Sequence, residues 1–330
     1  MFILIKRYFY INKGIIYRLR LLQVARVVAK SKAYSPCHIT GFYHKVVDRS
    51  SQLKSGSIGA GVSLSGGVLT TVVIYGNVPS RSFDISINGT VADDAIVSKK
   101  VLSDYFNLIS KPCHVSISHE TKIPIGFGLG SSGAASLSLS YGLNEAFGTN
   151  LSPLACAQVA HCAELSCKTG LGTVISEFIG GLEIRTIAGA PGVGKIETVP
   201  LEKMSIVSVC LGPLNTARCL DVQNDSLTEI AIKFIKALLK STTVDNFLRL
   251  SFEFTEGLGV IKGTCKSIIN LLTSNGFFSS LALFGETVFT VVRDEEVKFV
   301  LQLLEAYAPY CIVSKVDNTG ARILKNSKIG

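Results

Sequence analysis

The stretch Pro124-Ile125-Gly126-Phe127-Gly128-Leu129-Gly130-Ser131-Ser132-Gly133-Ala134-Ala135-Ser136 constrains this chain more than any other. Gly126, Gly128 and Gly130 alternate with other residues, so the backbone turns freely and leaves no side chain between its N–H groups and a ligand. Ala134 to Phe147 reads as a helix, with small residues first, then apolar Leu137, Leu139, Tyr141, Leu143 and Ala146, and Gly148 as its stop. A glycine loop opening onto a helix start gathers orphan N–H groups and the positive end of the helix dipole at one point, which suits a phosphate. The expected ligand is a nucleoside triphosphate. A flexible loop with an N-cap has the same composition and stays open on this stretch alone. A dinucleotide fingerprint is excluded, because the G-x-G-x-x-G spacing is missing and Lys122-Ile123-Pro124 makes a poor central strand.

At 330 residues the chain is long for one core and comfortable for two, and 47% hydrophobic with 17% charged residues describes a packed globular protein. The net charge of +9 invites a nucleic-acid partner, but eight of those charges fall in residues 1–32, which hold no acid, and the rest of the chain carries only +1. No basic stripe remains to track a phosphate backbone. Nine scattered cysteines form no CxxC pair and no His/Cys cluster at zinc spacing, which points to reduced thiols and a cytoplasmic setting. In residues 1–32 the apolar run Phe2 to Ile5 is cut by Lys6 and Arg7, too short for a membrane span or a signal peptide. An amphipathic surface segment, a transit peptide and an extension that the fold does not need all fit this stretch; the last is the expectation adopted, with a start site assigned too far upstream as one cause.

From Ala33 the residues suggest structure. Ala33 to Phe42 reads as a short strand end running into a glycine turn, and Gly56, Gly59 and Gly61 either bring backbone close to a neighbour or make a plain turn. Val62 to Val73 and Phe83 to Ile87 alternate as strands with bends at Gly66-Gly67 and Pro79-Ser80; Ala92 to Leu108 is helical, and Val115 to His119 is a strand feeding the glycine loop. Ser152-Pro153 starts a further helix, with serine as N-cap and proline at the first position. Glu164 falls on its small-residue face, where a carboxylate is costly unless paired, a surface carboxylate being the alternative. Gly189 to Lys195 satisfies GxxxxGK, but Ile196 replaces the Ser or Thr of a P-loop and β-like residues follow, so a hairpin turn is expected. A second unit from about residue 203 has a strand at 206–211, helices at 227–239, 244–258 and 261–275, two strands within 279–291, a helix at 295–307 and a last strand at 311–316.

The glycine stretch resembles the central motif of the GHMP kinases, Pro-x-x-x-Gly-Leu-Gly-Ser-Ser-Ala-Ala, with Gly133 the only departure in its core. Ser35-Pro36-Cys37-His38-Ile39-Thr40-Gly41-Phe42, Gly56-Ser57-Ile58-Gly59-Ala60-Gly61-Val62 and Leu283-Phe284-Gly285-Glu286-Thr287 resemble the archaeal pantoate kinase type. The resemblance spans roughly residues 33–325. It implies an α+β, two-domain GHMP kinase fold: a ribosomal protein S5 domain 2-like N-terminal domain over 33–200 that binds ATP, and a ferredoxin-like domain over 201–330. It implies ATP and Mg²⁺ as cofactors, nucleotide bound by Pro124, Gly126, Gly128, Leu129, Gly130, Ser131, Ser132 and Gly133, and Mg²⁺ held by Ser132 and Glu164. His38, Thr40 and Ser57 are then the substrate-binding candidates, with a satisfied structural histidine as the alternative for His38. Related kinases often carry an aspartate about seven residues before a Gly-Gly pair; here that place is Thr173, which positions a hydroxyl but is no base near neutral pH. Either the reaction proceeds without a base or the acidic group lies elsewhere. Lys168 adds a charge for the phosphates or is simply solvated. The activity implied is ATP-dependent phosphorylation of pantoate towards coenzyme A, with a homodimer allowed. The rival readings are a homoserine- or mevalonate-type GHMP kinase, and a degenerate nucleotide-binding regulator.

Overall fold

The computed structural model describes residues 26–213 and 225–325, so Met1 to Gln23 and the rest of the stretch up to residue 25 lie outside it. Two 21-residue strands, β1 (Arg26–Val46) and β2 (Gly56–Gly76), form its spine. Arg26 to Lys32, expected to belong to the extension, pair instead with Gly76 to Thr71. Lys30 and Lys32 alternate with buried Ser31 and Ala33, a period-two pattern that a strand with one wet face satisfies. The expected turn at Gly41 and bends at Gly66-Gly67 are likewise absorbed into these strands. Their glycines serve close approach: a methyl on Gly41 would lie 2.1 Å from Ser251 Oγ, and one on Gly67 would lie 2.0 Å from the Ser35 carbonyl.

The first sheet runs β12-β1-β2-β5-β3-β4. It is completed by β3 (Ser82–Ile87), β4 (Thr90–Val91), β5 (His114–Thr121) and β12 (Arg322–Ile323). The antiparallel hairpin of β6 (Leu182–Ile187) and β7 (Lys195–Val199) docks on the first half of β2, and its turn holds the GxxxxGK decoy. Helices α1 (Ile96–Phe106), α2 (Ser131–Phe147), α3 (Pro153–Cys167) and the short α4 (Thr173–Ile179) cover this sheet. The second sheet is β11-β8-β10-β9, wholly antiparallel, from β8 (Met204–Pro213), β9 (Ser280–Leu281), β10 (Gly285–Arg293) and β11 (Cys311–Lys315). Taken as strands one to four, that order is 4-1-3-2, the split βαβ arrangement of ferredoxin-like sandwiches. Its helices are α5 (Asp225–Lys240), α6 (Val244–Gly257), α7 (Gly263–Ser274) and α8 (Val297–Leu303); the helix expected to reach residue 307 gives way to a 3₁₀ segment containing Pro309.

The two sheets share one core, and β12 from the 201–330 stretch belongs to the first sheet. Ile39, Phe42 and Val62 of the first sheet share one cluster with Phe234 of α5, Phe247 and Phe254 of α6 and Phe289 of β10. The chain also crosses back: Asp317 N–H donates to the Ser63 carbonyl at 3.0 Å, and β12 pairs with β1. Among the described residues no helix is long and apolar enough to cross a membrane.

α2 lies close on β1 and β2 because its inward side chains are small. Ser138 on that face is fully buried and a methyl on Gly142 would stand 3.0 Å from Val72, while buried Ser140 faces the neighbouring helix and donates to the Cys156 carbonyl at 2.7 Å. Buried hydroxyls need partners, and these have them. Ser138 Oγ meets Thr70 Oγ1 at 2.6 Å, Thr70 Oγ1 meets His119 Nδ1 at 2.8 Å, and Ser98 Oγ meets His119 Nε2 at 3.0 Å.

Burial lowers the His119 pKa to about 4. The unfolded chain, with its imidazole near 6.5, takes up that proton first as pH falls, so the His119 contribution to stability is lost between those two values. Burial raises the Glu164 and Glu177 pKa values and gives an opposite slope, so the test is a difference between two proteins. Urea unfolding from about pH 7 to about pH 5 is expected to cost the wild type about 2 kcal/mol more than His119→Gln; equal losses would remove His119 as the cause.

Candidate active site

Gly126, Gly128 and Gly130 have φ of +87°, +78° and +71°, a left-handed region that other residues enter at a cost, which accounts for their alternation. The loop they form is gripped from two sides. His38 N–H donates to the Leu129 carbonyl at 3.1 Å, tying the loop to β1. On the other side Thr287 Oγ1 donates to the Phe127 carbonyl at 2.8 Å, and a methyl on Gly285 would lie 2.0 Å from that same oxygen. The Leu283 to Thr287 motif therefore braces the loop from the second sheet. α2 starts at Ser131, three residues earlier than expected, with no side chain capping its N-terminus. Both serines thus stand in the first turn, and its free N–H groups are those that a phosphate would take.

Glu164 sits in the last turn of α3, whose start is fixed by Ser152 Oγ accepting from Ala155 N–H at 3.1 Å. Its carboxylate is 2% exposed, accepts from Ser132 Oγ at 3.2 Å and from Thr169 Oγ1 at 2.7 Å. Burial pushes its pKa up to about 7, and the two hydroxyls pull it back only in part. Among the described residues no Lys, Arg or His forms an ion pair with it. A buried oxygen donor set of one carboxylate and one hydroxyl beside a phosphate cradle fits Mg²⁺, which takes few protein ligands and keeps phosphate oxygens.

A cavity of about 360 Å³ opens over the loop. The sequence-predicted His38, Thr40, Ser57, Lys168 and Thr173 line it together with Gly126, Gly128, Leu129, Gly130, Ser131 and Ser132. Pro124, Gly133 and Glu164 stand outside the lining; Gly133 and Glu164 are buried behind it. Lys168 is exposed in the left-handed cap of α3, and Thr173 opens α4. Among the described residues no Asp or Glu lines the cavity. A larger cavity of about 1050 Å³, beyond the Tyr43 and Phe284 rings, holds none of the predicted residues.

Three charged residues behind the lining escaped sequence reasoning. Glu183 and Arg185 are buried in β6 and bond each other, and Glu183 also accepts from His38 Nε2 at 2.9 Å. Their signal was the alternation Leu182-Glu183-Ile184-Arg185, which sets two charges on one face of an otherwise apolar strand. Glu177 is one turn beyond Thr173 on α4, fully buried, with both carboxyl oxygens unpartnered; the Ala134 N–H that faces it is spent on the Gly130 carbonyl. Burial, with the Glu164 charge adding to it, raises its pKa well above the usual carboxyl range and favours the protonated form. A methyl on Gly133 would lie 2.5 Å from Glu177 Oε2. The glycine at the one unusual position of the central motif makes room for this carboxyl.

Gly133→Ala is therefore expected to weaken Mg-ATP binding about tenfold, the scale of a ~1.4 kcal/mol overpacking cost on the first turn of α2. In a Glu177→Ala background the same change is expected to cost less than about threefold. Fluorescent-nucleotide titration of the four proteins checks this; additive effects would mean the two positions act apart.

Comparison with known proteins places this geometry. The GHMP kinases N terminal domain family model matches residues 95–181. Pantoate kinase from Thermococcus kodakarensis is 32% identical over 295 residues, covering 85% of this chain and 94% of the relative. Pantoate kinase from Methanocaldococcus jannaschii is 31% identical over 277 residues, covering 82% of this chain and 96% of the relative. A solved structure described as a phosphotransferase related to the CoA biosynthesis pathway superposes with a TM-score of 0.80 at 26% identity, over 91% of this chain and all of that one. Homoserine kinase from Cytophaga hutchinsonii, at 13% identity and a TM-score of 0.66, shares the fold. With the glycine loop, the buried glutamate and both sheets in place, the chain belongs to the pantoate kinase family of GHMP kinases.

Proposed function

We propose that this protein transfers the γ-phosphoryl group of ATP to the hydroxyl of pantoate, giving 4-phosphopantoate on the way to coenzyme A. The observation that carries this reading is the single cavity in which the glycine loop meets His38, Thr40 and Ser57. A phosphate donor and a small hydroxy acid fit there side by side, and the pantoate kinases of the two archaea match most of the chain.

The glycine loop and Ser131 cradle the β- and γ-phosphates through N–H groups aimed at where charge accumulates during transfer. Ser132 and Glu164 would hold Mg²⁺, which when bound neutralises phosphate charge. Lys168, an exposed member of the lining, offers a positive charge to the phosphates. Ser57 Oγ lies where a methyl on Gly172 would be, at 2.1 Å, so Gly172 opens the wall on which the acid substrate rests. Thr173 positions the attacking hydroxyl; it does not ionise near neutral pH. Positioning and charge neutralisation supply most of the rate in phosphoryl transfer, so a cavity with no carboxylate among its described lining residues is compatible with turnover. The protein is read as a cytoplasmic enzyme acting on a small acid, with no nucleic-acid partner and no stable membrane span, a homodimer being allowed.

The test is ADP release with Mg-ATP and a panel of pantoate, homoserine, mevalonate and shikimate. Turnover is expected on pantoate alone, with Ser132→Ala and Glu164→Gln each losing about 100-fold or more in kcat. Preferred turnover of homoserine or mevalonate would reassign the substrate. ATP binding without turnover on any acid would favour the regulatory alternative.

A further inference from the structure

His38 and Thr40 are two residues apart on β1, so their side chains share a face. The register of β1 on β2 shifts between Ser35 and Cys37 and again between Thr40 and Phe42, bracketing the pair with bulges of the kind that re-aim side chains beside active sites. Thr40 lies opposite Gly61 of β2, and Gly61 lies opposite Glu183 of β6. Three strands thus bring one hydroxyl and one carboxylate onto a single face, with a glycine between them. A methyl on Gly61 would stand 2.2 Å from His38 Nε2, so the imidazole lies across that gap and reaches Glu183 Oε1 at 2.9 Å. Arg185, on the same face of β6, bonds Glu183 and donates to Ser176 Oγ at 2.9 Å, which fixes the carboxylate.

The tautomer follows from these contacts. Glu183 accepts, so Nε2 carries the proton and Nδ1 presents its lone pair, 3.5 Å from Thr40 Oγ1. An Nδ1 without a proton cannot donate to a substrate carboxylate; it can only accept. Burial lowers the His38 pKa, the Glu183 bond and charge pull it back, and Arg185 lowers it further, so the ring is neutral and able to take a proton. The other ionisable groups packed about it are Cys37 beside it on β1 and Glu177 of α4, which stands 2.9 Å from the methyl position of Gly130 as the His38 backbone does.

We propose that Thr40, His38 and Glu183 form a proton relay serving the attacking hydroxyl, the role that Thr173 leaves unfilled. The proposal rests on the hydroxy-acid kinase reading above. As the substrate oxygen bonds to the γ-phosphorus and the bond from that phosphorus to the β–γ bridging oxygen breaks, ADP leaves with the electron pair. The substrate proton passes to Thr40 Oγ1 while the Thr40 proton passes to His38 Nδ1. The imidazolium so formed is held by Glu183 and returns its proton to water after product release. The 3.5 Å contact is long for a hydrogen bond, as catalytic contacts often are before substrate binds.

The experiment compares wild type, Thr40→Val, Thr40→Ser, His38→Gln and Glu183→Gln on whichever acid of the panel the wild type turns over. It follows kcat, KM and the pH profile, with Mg-ATP affinity and melting temperature beside them. Thr40→Val is expected to lower kcat about 100-fold with nucleotide affinity held within about threefold, and Thr40→Ser to restore it. At saturating Mg²⁺ and ATP, where the metal keeps the Glu164 carboxyl ionised, the acid-side fall of kcat is expected in the wild type and Thr40→Ser and to vanish in His38→Gln. Thr40→Val that raises KM alone, or an acid-side fall that persists in His38→Gln, would overturn the relay. If His38→Gln and Glu183→Gln fail to fold, the two Thr40 variants decide. A wild type active on another hydroxy acid overturns the pantoate reading and leaves the relay to the same kcat comparison; one inert on every acid overturns both.

Discussion

The close approach of the glycine loop to the turn before β10 is the contact on which the site depends. Gly128 and Gly285 face each other backbone to backbone, and a methyl on Gly128 would lie 2.7 Å from the Gly285 nitrogen. No side chain fits between them. The phosphate cradle is therefore built by two sheets meeting, and the first turn of α2 is held at one height by β1 beneath it and the second sheet beside it. The continuous cluster running from Ile39 to Phe289 is what brings those sheets together. Apolar burial supplies that force, and the glycines decide how near it can bring the backbones.

Charge behind the cavity is distributed in two unlike ways. Glu183, Arg185 and His38 satisfy one another: burial alone would raise the Glu183 pKa, but Arg185 and the His38 bond outweigh it and hold it low. Among the described residues Glu164 and Glu177 have no such cation, and both are held towards the protonated form by burial. Deep carboxyls of these two kinds respond oppositely to a positive charge arriving from outside. The first cluster is already neutralised, while the second region gains most from a cation that comes with the nucleotide.

What could be read in the sequence was what leaves a local trace. Left-handed backbone at alternate positions demands glycine, a helix start takes serine and proline, and a GxxxxGK turn followed by β-like residues could not open a helix. What could not be read depends on partners distant in sequence. Gly41 and Gly67 looked like turns because a glycine that admits a neighbouring helix or carbonyl has the same letter as one that bends the chain. Glu177 gave no local sign, since its reason is Gly133, forty-four positions earlier in the chain. The strand at Arg26 to Lys32 was hidden by its own lysines, whose alternation mattered more than their charge. Thr173 was legible as a missing acid; the arrangement of Thr40, His38 and Glu183 was not, because it needs the register of three strands.

The chain's last described turn has a consequence for how this protein is made. Asp317 accepts from the Gly181 N–H at 2.7 Å and β12 closes the edge of the first sheet beside Ala33 and Tyr34, so residues near the end complete a layer begun near the start. A ribosome releases the chain from its N-terminus, and domains that are contiguous in sequence fold as they emerge. Here the Ala33 and Tyr34 stretch of the β1 edge has no partner until residues 322–323 have been synthesised. Until then β1 lacks its partner at Ala33 and Tyr34, and those edge groups can pair with another chain.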